Sequence, residues 1–340
     1  MPLKISGRHY GENLARVDLL FSSLVHYGAA DLLDELIVVV RGDEADAIGR
    51  HLGAWPELPL RVVVEDEHFP AFRRYRRAWQ VRPWQRQQII KLNSVALTTA
   101  SYVLTLDPDV LARRPLTRGV LLPGGRALLE PEPRAVHQRW WLDSADLLEV
   151  DPGLERPGMS VTPALLSTAV LGEVHRRIES VASRPWMDVL LTSYCDWTEY
   201  TLYLLAAERA GLVGRHHIWP NGTDAAAHLH VEPSISIWDA GAASRSSLDW
   251  LFETDDPGLF AIVQSSSGQS AADVAAVAAA RFPVRTASTT GPSPGGAAGT
   301  SKLRERANTA SRLAATRMYR MRRRVRRAIR ARVRRPSSAR

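Results

Sequence analysis

The residues with the clearest chemical potential are two aspartates, Asp107 and Asp109, with one proline between them. They follow the β-branched and apolar run 102–106, which predicts a strand buried on both faces. Two carboxylates at the end of a buried strand are costly unless a cation compensates them. A divalent cation that also touches a diphosphate would do this, because Mg²⁺ takes one or two carboxylates plus phosphate oxygens. The alternative is a turn in which an aspartate caps the next element.

The segments around this motif predict an α/β protein. Apolar and β-branched runs at 3–6, 36–40 and 60–64 predict three strands, and the apolar spacing at 13–27 predicts a helix between the first two. This alternation favours a mainly parallel central sheet flanked by helices. In such a sheet, ligands bind outside the carboxyl ends of the strands, where Asp107 and Asp109 would lie. Further along, Pro163 predicts the first turn of a long helix.

Two other side chains are candidates for the same site. Lys91, one of three lysines in the chain, lies on a helix predicted at 84–100. Its ammonium group could pair with a phosphate or with Asp107, or it could be solvated. Glu199 lies in the first turn of a helix beginning near Trp197, with Asp196 or Thr198 as its cap. An acid at this position could act on a substrate or could only compensate the helix dipole.

Composition limits the class of protein. The chain has 340 residues, of which 45% are hydrophobic and 24% charged, which is enough for one large α/β domain or two modest ones. We find no apolar run of membrane-spanning length and no signal-peptide core, which predicts a cytoplasmic protein. The single cysteine, Cys195, excludes an intramolecular disulfide and a cysteine-built metal site.

The net charge of +8 comes from the C-terminal tail. Residues 302–340 contain sixteen Lys or Arg and one acid, a charge of +15, so the other 301 residues carry −7. We therefore divide the chain into a catalytic domain at 1–284, a flexible linker at 285–301 and a basic tail at 302–340. Apolar residues recur every three or four positions in 318–335, so the tail could lie on an anionic inner membrane face. Nucleic acid is a less favoured partner, and a disordered tail is the alternative.

Four sequence blocks in order resemble a known family. They are Trp84-x-x-Gln87-Gln88-x-x-Lys91, the Asp107-Pro-Asp109 strand end, Gly158-Met-Ser-Val-Thr-Pro163 and Trp197-Thr-Glu199-Tyr-Thr-Leu-Tyr203. The set resembles the bacterial GT-A-type glycosyltransferase-like proteins encoded near polysaccharide genes. It is more distantly similar to glycosyltransferase family 8. The similarity covers about residues 1–265.

This resemblance implies a GT-A fold, the Rossmann-like fold of nucleotide-diphospho-sugar transferases. It implies that Asp107 and Asp109 hold Mn²⁺ or Mg²⁺ on the donor diphosphate. Ser6 and Gly7 would lie against the base or ribose, with Lys91 also on the donor side, and Glu199 would face the acceptor or the sugar. The sequence departs from family 8 near the last predicted strand, because Gln264-Ser265 stands where family 8 supplies a histidine ligand.

Three functions are compatible with these residues. In the first, the protein moves a sugar from a nucleotide donor to a saccharide or lipid-linked acceptor, with Glu199 or Asp196 as the general base if the reaction inverts configuration. In the second, a phosphohydrolase of the haloacid dehalogenase type uses Asp107 as nucleophile and Asp255-Asp256 as late acids. Roughly three predicted strands before the motif, and the absence of lysine between Lys91 and Lys302, count against it. In the third, the protein is a non-catalytic scaffold.

Overall fold

The computed structural model describes residues 10–75, 83–193, 195–220, 228–231, 236–238, 248, 250–252 and 255–287. The predicted first strand, with Ser6 and Gly7, lies outside the described residues. So do most of the linker and the whole basic tail. Within the described residues, no helix combines the length and the apolar character that crossing a membrane requires.

Twelve α-helices have their full bounds within the described residues, and the longest carry the core contacts. In chain order they are α1 (Tyr10–His26), α2 (Ala45–Leu52), α3 (Glu65–His68), α4 (Pro70–Tyr75), α5 (Pro83–Leu92), α6 (Arg118–Leu121), α7 (Gln138–Leu148), α8 (Thr168–Ala182), α9 (Trp186–Leu191), α10 (Glu199–Arg209), α11 (Val213–His216) and α12 (Ala271–Ala278). Short 3-10 turns occupy Asn93–Ala96 and Pro123–Gly125.

Eleven short strands alternate with these helices in the described part of the chain. They are β1 (Leu36–Val40), β2 (Leu60–Val64), β3 (Tyr102–Thr105), β4 (Val110–Ala112), β5 (Ala127–Leu128), β6 (Glu132–Pro133), β7 (Pro157–Gly158), β8 (Ala164–Ser167), β9 (His217–Ile218), β10 (His228–His230) and β11 (Gly258–Ile262). The mixed α/β class predicted from the sequence is confirmed.

The strands form small sheets of mixed direction, so the prediction of a mainly parallel central sheet is wrong for the described residues. Strands β1 and β2 pair in parallel, as do β5 with β9 and β10 with β11. The strand before the aspartates, β3, instead pairs antiparallel with β8. After the aspartates, β4 runs antiparallel to β11. The prediction that β3 is buried on both faces is also wrong, because Thr105 is the one fully buried residue of its four. An apolar run carries no information on the direction of a strand's partner.

Strand β8 also corrects the prediction of a helix at Pro163. The segment Ala-Leu-Leu-Ser at 164–167 is buried and pairs with β3, and helix α8 begins only at Thr168. A short apolar run cannot be distinguished from a buried helical turn by its periodicity alone. The consequence for the site is that the loop before β8, including Thr162, meets the end of β3.

Helix α10 is the central element of the main core. Its residues from Glu199 to Ala207 are all buried, and they include Tyr200 and Tyr203. It packs against α7 and α8. The N-terminus is fixed by a capping box, in which the Thr198 side chain accepts from the Thr201 backbone and Thr201 accepts in return. A buried helix with a fixed first turn holds Glu199 in one position.

Candidate active site

A cleft of about 920 Å³ opens where β3 ends. One wall comes from α5, and another from the loop before β8 and the first turn of α10. The third wall combines residues 128–133 with β10 and the residues that follow β11. Asp107 and Asp109 line this cleft together with Lys91 and Glu199.

Lys91 joins α5 to the end of β3, the loop before β8 and the first turn of α10. Its Nζ lies 3.0 Å from Asp107 Oδ2 and 3.3 Å from Glu199 Oε1, and it donates to Thr162 Oγ1 at 2.8 Å. The side chain is buried. Burial alone would lower the pKa of Lys91, but Asp107, Tyr200 and Glu199 outweigh it and hold the pKa well above its usual value. Of the arrangements considered from the sequence, the structure contains the pair with Asp107.

Glu199 is held by its backbone as well as by Lys91. Its amide donates to Gln88 Oε1 at 3.0 Å, so α5 and α10 are joined beside the cleft. Only 1% of Glu199 is exposed, and its carboxylate lies within ion-pair distance of Lys91. Burial raises the pKa of Glu199, and the Lys91 ammonium offsets part of that effect. A carboxylate with a raised pKa is a stronger base than an exposed one.

Asp109 contacts the residues that follow β11. Its Oδ2 accepts from the Ser265 backbone at 3.3 Å, and its carbonyl accepts from Val263 N at 2.9 Å. Burial and the neighbouring Asp107 carboxylate raise the pKa of Asp109 to about 6. The end of β11 is in turn fixed by Arg16, whose Nη1 donates to Val263 O at 2.7 Å.

The two aspartates could hold a divalent cation if a substrate supplied its remaining ligands. Asp107 Oδ1 is buried and, within the described residues, has no hydrogen-bond partner, while Oδ2 is held by Lys91. The described residues contain no group of three or more His, Cys, Asp or Glu that could form a metal cage by themselves. Mg²⁺ commonly uses one or two carboxylates with phosphate oxygens and water, so two aspartates are a sufficient protein contribution. Gln264 and Ser265 line the cleft at this end.

The cleft is strongly acidic. Five carboxylate side chains line it, against two permanently cationic ones, Arg16 and Lys91. Both cations already have partners, since Arg16 binds the carbonyls of Val263 and Gln269 and Lys91 binds Asp107. The described lining therefore lacks an uncommitted cation for a phosphate, and an anionic ligand would enter favourably only with its own cation.

Asp196 and Glu199 occupy different places. The Asp196 carboxylate pairs with Arg139 Nε at 2.6 Å, and Asp196 is not one of the residues that line the cleft. The structure therefore brings Glu199, and not Asp196, to Lys91 and Asp107. The other predicted donor residues, Ser6 and Gly7, lie outside the described residues.

Several residues at the cleft were not singled out from the sequence. Tyr200 bridges the floor, because its hydroxyl lies 2.8 Å from both Thr105 Oγ1 and Thr162 Oγ1. Glu130 Oε2 accepts from Leu229 N at 2.8 Å and so fixes β10 to the wall. His230 donates to the Pro163 carbonyl at 2.8 Å, and burial lowers its pKa to about 4, which keeps it neutral. These partners are far apart in the sequence, where local patterns give no signal.

The fold and the site define a mixed α/β protein with an acidic, lysine-centred cleft. The chain belongs to a family of unknown function (DUF6492), which matches residues 1–284. No curated protein matches the chain.

Proposed function

We propose that this protein is a metal-dependent glycosyltransferase of the hexosyltransferase type, with a fold related to GT-A. It would move a sugar from a nucleoside-diphosphate donor to a hydroxyl of a saccharide or lipid-linked acceptor, in surface polysaccharide or glycoconjugate synthesis. The observation that carries this proposal is the buried ammonium of Lys91, which joins Asp107 to Glu199 beside Asp109. Two acids that would bind the donor's cation and one acid that would act on the acceptor therefore line a single cleft.

The acidic charge of the cleft supports a donor that binds together with a cation. Because five acidic side chains line the cleft, a nucleoside diphosphate would enter favourably only with a divalent cation. Asp107 and Asp109 would hold that cation, and when bound it would neutralise charge on the departing diphosphate. Lys91 orients Asp107 by donating a hydrogen bond to its Oδ2.

Glu199 would act on the acceptor. If the reaction inverts configuration, the Glu199 carboxylate accepts the proton of the attacking hydroxyl. Its raised pKa strengthens it as a base, and the Gln88 contact fixes its position. If the reaction retains configuration, Glu199 orients the substrate instead.

A phosphohydrolase is the second candidate, because Lys91 lies beside Asp107 as such an enzyme requires near its nucleophile. The late acids that this mechanism requires are not in the cleft. Asp256 is engaged by Arg113 Nη1 at 3.3 Å, and neither Asp255 nor Asp256 lines the cleft. This geometry makes the transferase the better proposal.

The test begins with calorimetry of Mn²⁺ together with UDP or GDP. We expect saturable heat and a raised melting temperature that both require the metal, followed by Mn²⁺-dependent hydrolysis of at least one nucleotide sugar from a panel. Absence of heat and of a melting shift would favour the scaffold. Phosphate release from p-nitrophenyl phosphate, without nucleotide-sugar hydrolysis, would favour the phosphohydrolase.

Replacing Glu199 with glutamine is expected to lower the transfer rate by about 10²–10⁴-fold, because a general base contributes about that much. The Mn²⁺ and UDP affinity should change little, since the donor acids are intact. Steady-state kinetics and calorimetry measure the two effects separately. Glu155→Gln, at a side chain 77% exposed, is the matched control and should retain full activity. A loss below tenfold would restrict Glu199 to an orienting role.

Deleting residues 302–340 is expected to abolish sedimentation with vesicles that contain anionic lipid. The tail carries a charge of +15, and each basic residue near an anionic surface contributes about 1 kcal/mol. Vesicles of neutral lipid are the control and should not retain either protein. Equal sedimentation of the full chain and the deletion variant would remove the proposed membrane contact.

A further inference from the structure

One end of the cleft is lined by aromatic side chains, which the chemistry described above does not use. Its members are Trp84, His137 and Trp140, and Glu132 lies among them; we refer to these four residues as the aromatic end. The Trp84 and Trp140 ring centroids are 6.1 Å apart with planes tilted by 38°. His137 stacks on Trp140 at 4.0 Å. Trp84 is 39% exposed, so part of this aromatic surface faces the solvent of the cleft.

Helix α5 relates the aromatic end to the reacting groups. Trp84, Gln88 and Lys91 are spaced by four and three residues, so they lie along one face of the helix. Trp84 is therefore about 10 Å from Lys91 along the axis, since each residue advances the helix by about 1.5 Å. Gln88, between them, holds Glu199. The aromatic end thus lies on the Glu199 side of the site, whereas Asp109 contacts the residues that follow β11.

The polar group at the aromatic end is a carboxyl suited to hydroxyl groups. Glu132 Oε2 accepts from Ser160 Oγ, and Oε1 lies 3.7 Å from His137 Nε2. Burial raises the pKa of Glu132 to about 7, so near neutrality both forms exist and the group can accept or donate a hydrogen bond. The two cationic residues of the described lining, Arg16 and Lys91, are engaged elsewhere. A phosphate would find little attraction here.

We infer that the aromatic end binds a pyranose ring of the acceptor. The apolar C–H face of the ring would lie on Trp84 and Trp140, and its hydroxyls would bind Glu132. Aromatic side chains supply apolar contact area at a fixed geometry, while a few placed polar groups give orientation. The role of this sugar as an acceptor rests on the proposed transferase function. Saccharide binding itself needs neither donor nor metal. The expected ligand is an uncharged, hydroxyl-rich sugar.

Saturation-transfer NMR and tryptophan fluorescence with the full chain test this inference. The probes are methyl glycosides of glucose, galactose, mannose and N-acetylglucosamine, the disaccharides maltose, cellobiose and lactose, and octyl glucoside below its micellar concentration. We expect saturable binding of at least one probe without metal, weakened at least tenfold in Trp140→Ala and in Trp84→Ala. A clear preference for octyl over methyl glucoside would identify a lipid-linked acceptor, and equal affinity a free saccharide.

The matched control is Trp250→Ala, because Trp250 is 63% exposed and is not one of the cleft residues. It should bind the probe as the wild type does. Circular dichroism melting shows whether each variant is folded, and Trp84→Ala, at the partly exposed tryptophan, is the variant better able to tolerate truncation. Binding of none of the probes, or unchanged binding in both folded tryptophan variants, overturns the inference.

Calorimetry with Mn²⁺ and UDP or GDP separates this inference from the proposed function. Tryptophan-dependent saccharide binding without nucleotide binding keeps the sugar subsite and rejects the transferase. Nucleotide binding without saccharide binding does the reverse. In Trp140→Ala, nucleotide affinity should stay within twofold of the wild type.

Discussion

Replacing Lys91 with methionine is expected to lower the free energy of unfolding by about 3–5 kcal/mol, the usual cost of removing one partner from a buried ionic group. The substitution keeps an unbranched side chain, one atom shorter, and leaves Asp107 and Glu199 without their shared cation. The Thr162 hydroxyl also loses the hydrogen bond that Lys91 donates to it. Urea denaturation at pH 7 measures the loss.

The pH dependence of the same variant gives a second readout. Burial places the pKa of Glu199 higher in the folded protein than in the unfolded chain, where it is about 4.3. The folded state therefore binds more protons above that pH, and stability falls as pH rises. Without Lys91 the offset is lost, so Lys91→Met should lose more stability between pH 5 and pH 8 than the wild type does.

Two comparisons make this prediction specific. Arg74→Met removes an exposed ion pair to Asp188, at a side chain 65% exposed, and should cost less than about 1 kcal/mol. Adding Glu199→Gln to Lys91→Met should recover about 0.5–3 kcal/mol, because the two side chains are in contact. A Lys91→Met loss as small as that of Arg74→Met would contradict the assignment of Lys91 as the central cation.

Replacing Asp109 with asparagine is expected to abolish metal-dependent binding of UDP or GDP while the fold survives. The change removes one of the two proposed cation ligands. It also removes a carboxyl group whose pKa is raised to about 6 by burial and by Asp107. Without ligand, stability at pH 7 should therefore be unchanged or slightly higher, since a raised carboxyl pKa destabilises the folded state above that pH. Binding and stability would then move in opposite directions.

Calorimetry and thermal melting test the Asp109 prediction together. The matched control is Asp151→Asn, because Asp151 has a 77% exposed side chain and is not one of the cleft residues. It should bind nucleotide and metal as the wild type does. Unaltered affinity in Asp109→Asn would reject the proposed cation site, whatever its effect on stability.

The sequence predicted the local parts of this structure better than their assembly. Strands β1, β2 and β3 were evident from apolar runs, and the position of Asp107 and Asp109 at a strand end followed from them. A Lys91–Asp107 pair was one of several alternatives, and only the structure selected it. Strand directions depend on partners such as β3 and β8, which lie some sixty residues apart and leave no trace in periodicity.

The composition of the site shows the same limit. Glu199 was a candidate because of its position in a helix, but Tyr200 and Thr162 reach Lys91 and each other only in the folded chain. Trp84 and Trp140 belong to separate helices, and the tilted pair they form depends on how α5 meets α7. Long-range contacts of this kind cannot be inferred from one sequence without an observed fold.

Helix α5 has a consequence for the length of substrate that the cleft accepts. Because Trp84, Gln88 and Lys91 belong to one helix, helical rise would fix the distance between the proposed sugar subsite and the proposed reacting centre. Loops around the cleft can change length without altering that distance. Inserting one residue between Trp84 and Lys91, by contrast, would rotate the tryptophan by about 100° and separate the two ends. Helix α5 would therefore set how far the bound acceptor extends from the proposed reacting centre.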